Sequence, residues 1–258
     1  MSMGRGLHRA VFLRSLLIQG CWSYEGMQNL GFLYGIDPWL RRIYPDPEDY
    51  RQAAFRHLEF FNTQPYMAGF ALGVIGGFEE RRARLPEEQR RAMEGQIVRM
   101  KKALGSSLAA IGDTFFWGAL KPACAALILL AWLALWSLEA RRPVLLGTLL
   151  GLASFNAVAL WVRWRGIGVG YGTQERLPEE IRRFRWHERV RWVRSAGLAA
   201  AIALALAALL VPPQGGPPGW WGPALLAAAA AARASGLSAV RSYALAVALG
   251  CAAALAGI

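Results

Sequence analysis

The side chains best suited to chemistry lie in one block, His57-Leu58-Glu59-Phe60-Phe61-Asn62-Thr63-Gln64-Pro65. Asn62, Thr63 and Gln64 offer neutral donors and acceptors in succession, directly behind two aromatic rings. His57 and Glu59 add an imidazole and an acid. The chemistry available is recognition by hydrogen bonds, with charge at its edge. Covalent or metal chemistry finds little support: there is no glycine-rich phosphate loop, no nucleophile–base pair and no metal-ligand spacing. Cys21, Cys124 and Cys251 are odd in number and far apart, so neither a disulfide framework nor a metal pattern follows. No cofactor is expected.

Pro65 disfavours a helical Gln64 and suits the first turn of a helix. The block therefore reads as a polar turn feeding a short apolar helix over residues 66–78. At about 13 residues that helix is too short for a bilayer core of roughly 30 Å. This is the pattern of a re-entrant element, tolerated at membrane depth only where protein or a wet cavity surrounds it.

The elements around the block must hold it in a membrane. Of 258 residues 55% are hydrophobic, concentrated after Pro122, which rules out a disordered chain and argues against an ordinary soluble domain. The net charge of +12 sits between hydrophobic runs, where it marks cytoplasmic flanks. No nucleic-acid reader motif accompanies it, so nucleic acid is not an expected partner. The N-terminus shows no clean hydrophobic core followed by a cleavage site, so a removable signal peptide is not expected.

Phe12, Leu16, Trp22, Met27, Leu30 and Leu33 recur at helical spacing and predict two amphipathic helices broken near Gly20. Asp46 or Pro47 opens a third. Residues 1–56 are thus expected to form an amphipathic arm, on the membrane surface or against a partner. Residues 57–122 form the re-entrant core region, with a charged cytoplasmic segment over 79–104 in which Leu85-Pro86-Glu87-Glu88 opens a helix. Asp113 and Lys121 bracket aromatic residues at the entrance to a hydrophobic helix over 123–138. Residues 139–143 close it on the outer side, 144–162 predict the next span, and nine arginines over 163–194 mark a basic cytoplasmic loop. A third span is expected over 195–211, an outer loop over 212–223, and two short helices over 224–258. The expected fold is an all-α integral membrane protein, with N-terminal amphipathic helices, a re-entrant helical element and about five membrane-embedded hydrophobic segments, the transmembrane helical region covering 123–258.

The block at 57–65 resembles the signature of the IID membrane component of the mannose/fructose/sorbose-type bacterial phosphotransferase system. Further stretches agree in order and spacing. Gly20-Cys21-Trp22-Ser23-Tyr24-Glu25-Gly26-Met27-Gln28-Asn29-Leu30-Gly31-Phe32 resembles the family's N-terminal motif, and Ala54 to His57 leads into the signature as in the family. Gly112-Asp113-Thr114-Phe115-Phe116-Trp117-Gly118 with Pro122 resembles its Gly-Asp-x-x-Phe-Trp-Gly motif, and Gly166-Ile167-Gly168-Val169-Gly170-Tyr171-Gly172 its Gly/Tyr-rich turn. Ser23 replaces a usual Asn, Ser106-Ser107-Leu108 replaces a Gly/Pro-containing approach, and the region after Ser195 is simpler than in the family. The resemblance implies a multi-pass subunit of the bacterial inner membrane that pairs with a IIC subunit in an oligomer of such pairs. Together they move a hexose inward while soluble IIA and IIB phosphorylate it. The phosphoryl-carrying histidines then belong to IIA and IIB, and this subunit is non-catalytic. The alternative is a transport-inactive or regulatory protein on the same fold, which the simplified C-terminal region permits.

In that setting Asn62, Thr63 and Gln64 suit sugar hydroxyls, which need several neutral donors and acceptors; the alternative is that they satisfy backbone at the tip of the turn. Phe60 and Phe61 fit core packing better than stacking on a sugar. Glu59 and His57 are candidate sugar contacts, with a structural pair to Arg56 or a partner residue favoured. Glu25, Gln28 and Asn29 face the sugar, the partner or solvent. Asp113 is a candidate contact, with a helix cap favoured, and Lys121 suits the membrane interface.

Overall fold

Asp46 fixes where one helix begins. Its Oδ1 accepts from the backbone N–H groups of Glu48 (2.9 Å) and Asp49 (3.0 Å), and Pro47 supplies the first helical residue. The computed structural model describes residues 3–210 and the single position 248. Within them the chain is helical: α1 (Arg5–Ser15), α2 (Asn29–Ile43), α3 (Pro47–His57), α4 (Ala68–Ala83), α5 (Glu87–Gly112), a π-helical segment (Asp113–Leu120), α6 (Lys121–Ser137), α7 (Pro143–Thr173), α8 (Leu177–Arg183) and α9 (Trp186–Leu210). Two helical runs, Glu87–Ser137 and Pro143–Leu204, are long and apolar enough to cross a membrane. The outer loop and final short helices expected after residue 211 lie outside the described residues.

Residues 3–124 and 149–194 form one compact unit; residues 125–148 and 195–210 belong to a second. In the second, α6 turns back into α7 through Glu139 and Arg142, both at positive φ. Gly147 lets Trp132 lie close, and the Trp132 indole donates to Thr148 Oγ1 at 3.2 Å.

The first unit is built around α4. Every residue from Ala68 to Glu79 is buried, which fits a helix apolar on all sides. The amphipathic helices pack on it rather than hanging free: Phe32, Ile36 and Trp39 of α2 are fully buried, and Gly76 admits the Trp39 ring. α4 also runs past the expected end at residue 78, because Glu79 and Arg82 are buried and paired within the protein.

Two joins differ from expectation. Asp113 does not stand at a helix entrance: α5 continues through the π-helical segment into α6, and the Asp113 N–H already bonds to the carbonyls of Ala109 and Ala110. Residues 163–173 are not loop either. The stretch Gly166–Gly172 lies inside α7, where its glycines permit close contact with α4. A Cβ on Gly166 or Gly170 would meet Phe70 backbone at 3.0 and 2.3 Å, and one on Gly69 or Gly73 would meet the carbonyls of Arg163 and Ile167 at 2.3 and 2.2 Å. The four-residue spacing on both helices is the small-residue packing pattern of membrane helix pairs.

Candidate functional site

The signature turn leaves α3 at His57 and enters α4 at Ala68, and three separate stretches of sequence hold it. The N-terminal motif comes first. Gln28 N–H donates to Phe61 O (2.8 Å) and Phe61 N–H to Gly26 O (3.3 Å). The buried Gln28 side chain then grips the Thr63 backbone from both sides, its Nε2 donating to Thr63 O at 2.8 Å and its Oε1 accepting from Thr63 N–H at 3.1 Å. Asn29 Nδ2 donates to Leu58 O at 2.7 Å.

α5 supplies the second hold. Lys101, 2% exposed, donates to the carbonyls of His57 (2.8 Å) and Glu59 (3.1 Å), with its ammonium 4.9 Å from the Phe32 ring centre. Gly105 and Gly112, seven residues apart on one face of α5, let the turn approach: a Cβ would stand 2.9 Å from Asn62 O and 2.5 Å from Gln64 Cβ. The third hold follows from Gly112. Tyr66 packs against Phe116 (4.8 Å), Trp117 (6.0 Å) and Phe155 (5.5 Å), and the Arg163 guanidinium lies 5.6 Å from the Tyr66 ring centre while donating to Ser15 O.

Inside this frame the candidate residues separate. Thr63 and Gln64 are buried, whereas Asn62, Glu59 and Phe60 are exposed. Gln64 Oε1 accepts from Tyr66 N–H at 2.7 Å, yet Gln64 Nε2, Thr63 Oγ1 and His57 Nδ1 are buried without a hydrogen-bond partner among the described residues. Phe61 is core, 4.5 Å from Phe32. Glu25 and Asp113 are exposed, and no hydrogen bond of theirs ties them to the turn among the described residues. Lys121 sits 5.2 Å over the Trp117 ring.

His57 and Arg56 do not pair with Glu59. Both meet Glu79, a fully buried acid at the end of α4. Arg56 donates to Glu79 through Nε and Nη2 at 3.0 Å, His57 Nε2 lies 3.0 Å away, and Tyr44 O–H donates at 2.7 Å. Glu94 extends the network to Arg82 (2.5 Å) and Arg56 (3.3 Å). Burial alone would raise the Glu79 carboxyl, but the hydrogen bond from His57 and the paired Arg56 guanidinium hold it well below the usual carboxylate range. Burial lowers the His57 imidazole, which is therefore neutral at pH 7 and donates its Nε2–H. Glu59 instead faces Lys102 at 3.6 Å on the surface.

Sequence reasoning missed Glu79, placed at the start of a solvated charged segment, and Lys101. For Lys101 a signal existed: it falls on the same α5 stripe as Met93, Ile97, Leu104 and Leu108, all buried. No group of three His, Cys, Asp or Glu side chains that could hold a metal occurs among the described residues. What the arrangement can do is present one exposed amide, Asn62, on a turn immobilised from three sides, while the next two residues keep buried polar atoms without a partner among the described residues.

Among the described residues, helices with no strand between them, two of the helical runs long and apolar enough to cross a membrane, frame a braced polar turn, the arrangement expected of a membrane component. The family model for the PTS system mannose/fructose/sorbose family IID component matches residues 4–205, and the chain belongs to that family. It is 44% identical over 164 residues to the PTS system mannose-specific EIID component of Escherichia coli, covering 63% of this chain and 54% of that one. It is 38% identical over 162 residues to the sorbose-specific EIID component of Klebsiella pneumoniae (63% and 55%), and 33% identical over 162 residues to the fructose permease IID component of Bacillus subtilis (63% and 54%). The matched part therefore spans about half the length of these relatives. Among solved structures it is similar to a cryoEM structure of the mannose transporter ManYZ in complex with a microcin, with a TM-score of 0.56 and 35% identity over 79% of this chain and 70% of that one. A second, described as a membrane protein, gives a TM-score of 0.63 and 34% identity over 80% and 71%.

Proposed function

We propose that this chain is the IID half of a sugar pathway in the bacterial inner membrane, paired with a IIC subunit and served by soluble IIA and IIB phosphocarriers. About five hydrophobic segments embed it, with the arginine-rich 163–194 region cytoplasmic and residues 139–143 outside. The substrate is a hexose, held by neutral hydrogen bonds from Asn62, Thr63 and Gln64, with Glu59 at the rim. His57 and Gln28 are positioning residues, since their side chains bond to Glu79 and to the Thr63 backbone. Glu25 and Asp113 face the partner rather than the sugar.

One observation carries this reading. In a turn whose backbone is tied on three sides, successive residues keep buried polar atoms without partners, Thr63 Oγ1 and Gln64 Nε2. Such groups cost about 1–3 kcal/mol each, and a ligand hydroxyl that pairs with them recovers that cost. If the three residues only satisfied backbone, their side chains would be spent; among the described residues only Gln64 Oε1 is. The test is co-expression with a IIC subunit of this family and calorimetric titration of the purified pair with mannose, fructose, sorbose, N-acetylglucosamine and galactosamine. Saturable binding of one of them is expected. A stable pair that binds none would overturn the sugar assignment and favour a regulatory role.

A further inference from the structure

Apolar and basic side chains converge at a place the signature turn does not use. Ile111 of α5 faces Ile181 of α8 and Trp186 and Val190 of α9 across a cavity of about 390 Å³, with Arg182 and Arg185 at its rim. The size suits a small ligand or part of a larger one. Trp186 is 8% exposed, and its indole N–H is buried without a hydrogen-bond partner among the described residues. Arg185 pairs with Glu188 and Arg183 with Glu180, but Arg182 has no acid partner there.

The level of this cavity is informative. Lys121 and Arg194 are the last charges before two uncharged runs, 122–137 and 195–210. The two boundaries lie side by side, since Arg194 Nε donates to Gly118 O at 3.2 Å. Thr114 and Val190 line the cavity, seven residues before Lys121 and four before Arg194. At 1.5 Å per residue the cavity is about 6–10 Å to the charged side of the boundary. That is the depth of lipid headgroups. The start of α9, with its partial positive charge, lies at this level.

We propose that the cavity holds one phospholipid with an anionic headgroup, drawn from the cytoplasmic leaflet. Its phosphate pairs with Arg182 and Arg185, its glycerol-ester oxygens accept from the Trp186 indole, and an acyl chain lies against Ile111, Ile181 and Val190. A lipid rather than free phosphate fits because most of the wall is apolar and would gain nothing from a small anion. The proposal rests on the chain's being the membrane subunit described above.

Native mass spectrometry of the full chain in mild detergent tests it, with phosphatidylglycerol, phosphatidylcholine, glycerol 1-phosphate and inorganic phosphate as separate probes. One phosphatidylglycerol per chain is expected to be retained and phosphatidylcholine lost. Replacing both rim arginines, R182Q with R185Q, should weaken retention about 25-fold, roughly fivefold per charge. Ala110→Trp, which fills the cavity, should abolish retention, while R91Q with R99Q on α5, an equal loss of charge elsewhere, should leave it unchanged. Retention in the R182Q–R185Q chain, equal loss in the R91Q–R99Q chain, or equally tight binding of inorganic or glycerol phosphate would each overturn the proposal. An alkaline carbonate wash separates the two readings. Release of the chain from membranes would sink the membrane reading itself, whereas a retained chain that holds no phosphatidylglycerol sinks only the lipid site.

Discussion

At the scale of the residue, Glu79 is the charge on which the site's support depends. It is fully buried, it lies outside both membrane-capable helices, and it draws Arg56, His57 and Tyr44 into one network behind the turn. Its carboxyl is held well below the ordinary 4.5 by His57 and Arg56, so the stability it supplies is complete above pH 4.5 and is lost as pH falls below it. His57 acts with the same sign from pH 6.5 downward, because the unfolded imidazole takes up a proton that the buried one resists. Thermal scans should therefore show the melting temperature falling below pH 6.5 and more steeply below 4.5. Glu79→Gln should cost about 3 kcal/mol at pH 7, since it leaves the buried Arg56 with only its longer contact to Glu94, and should flatten the profile below pH 4.5. A Glu79→Gln chain with wild-type stability and slope would contradict the network. Gln28 was visible in the sequence as a polar residue near the motif, but not its two-sided hold on Thr63, because that pairing spans 35 residues. Glu79 was invisible for a related reason: its partners are Tyr44, just past α2, and two residues of α3, and nothing local distinguishes it from the solvated charges that follow.

At the scale of the element, helix starts were legible and helix joins were not. Asp46-Pro47 and Pro86-Glu87-Glu88 announce α3 and α5 through capping chemistry that is local. The passage from α5 through the π-helical segment, and the helical course of Gly166–Gly172, depend on what packs alongside. Glycine reads as a turn in sequence, yet here it is what allows α7 to touch α4. Gly73→Val should cost about 1–3 kcal/mol or more, because its Cβ would meet the Ile167 carbonyl at 2.2 Å and the helices must part. A Cβ on Gly172 would meet nothing within 4 Å, so Gly172→Ala should be neutral or stabilising by up to about 1 kcal/mol. Chemical denaturation of the two variants checks the contrast; equal effects would show that this packing does not hold the unit together. Asp46→Ala should cost about 1 kcal/mol through the lost cap, read in the same experiment.

At the scale of the whole molecule, the motifs recognised in the sequence at 20–32, 57–65 and 112–118 converge on one turn, and the stretch at 166–172 packs on the helix that follows it. The amphipathic pattern of the first 56 residues was legible, but not its use. It covers α4 within the unit, because α4 is apolar on all sides and needs cover. The order of burial within the signature was also beyond the sequence, since neighbouring polar residues carry no mark of which faces inward. Asn62 is the exposed member, so it can be changed without disturbing the frame. The most direct measurement is calorimetric titration of the proposed IIC pair, once purified, with whichever hexose it binds, before and after Asn62→Ala. A turn that contacts sugar predicts an unaltered pair whose binding weakens by at least tenfold, about 1.4 kcal/mol or more for a lost ligand hydrogen bond. Unchanged affinity in an intact Asn62→Ala pair would contradict the assignment of this turn to the sugar.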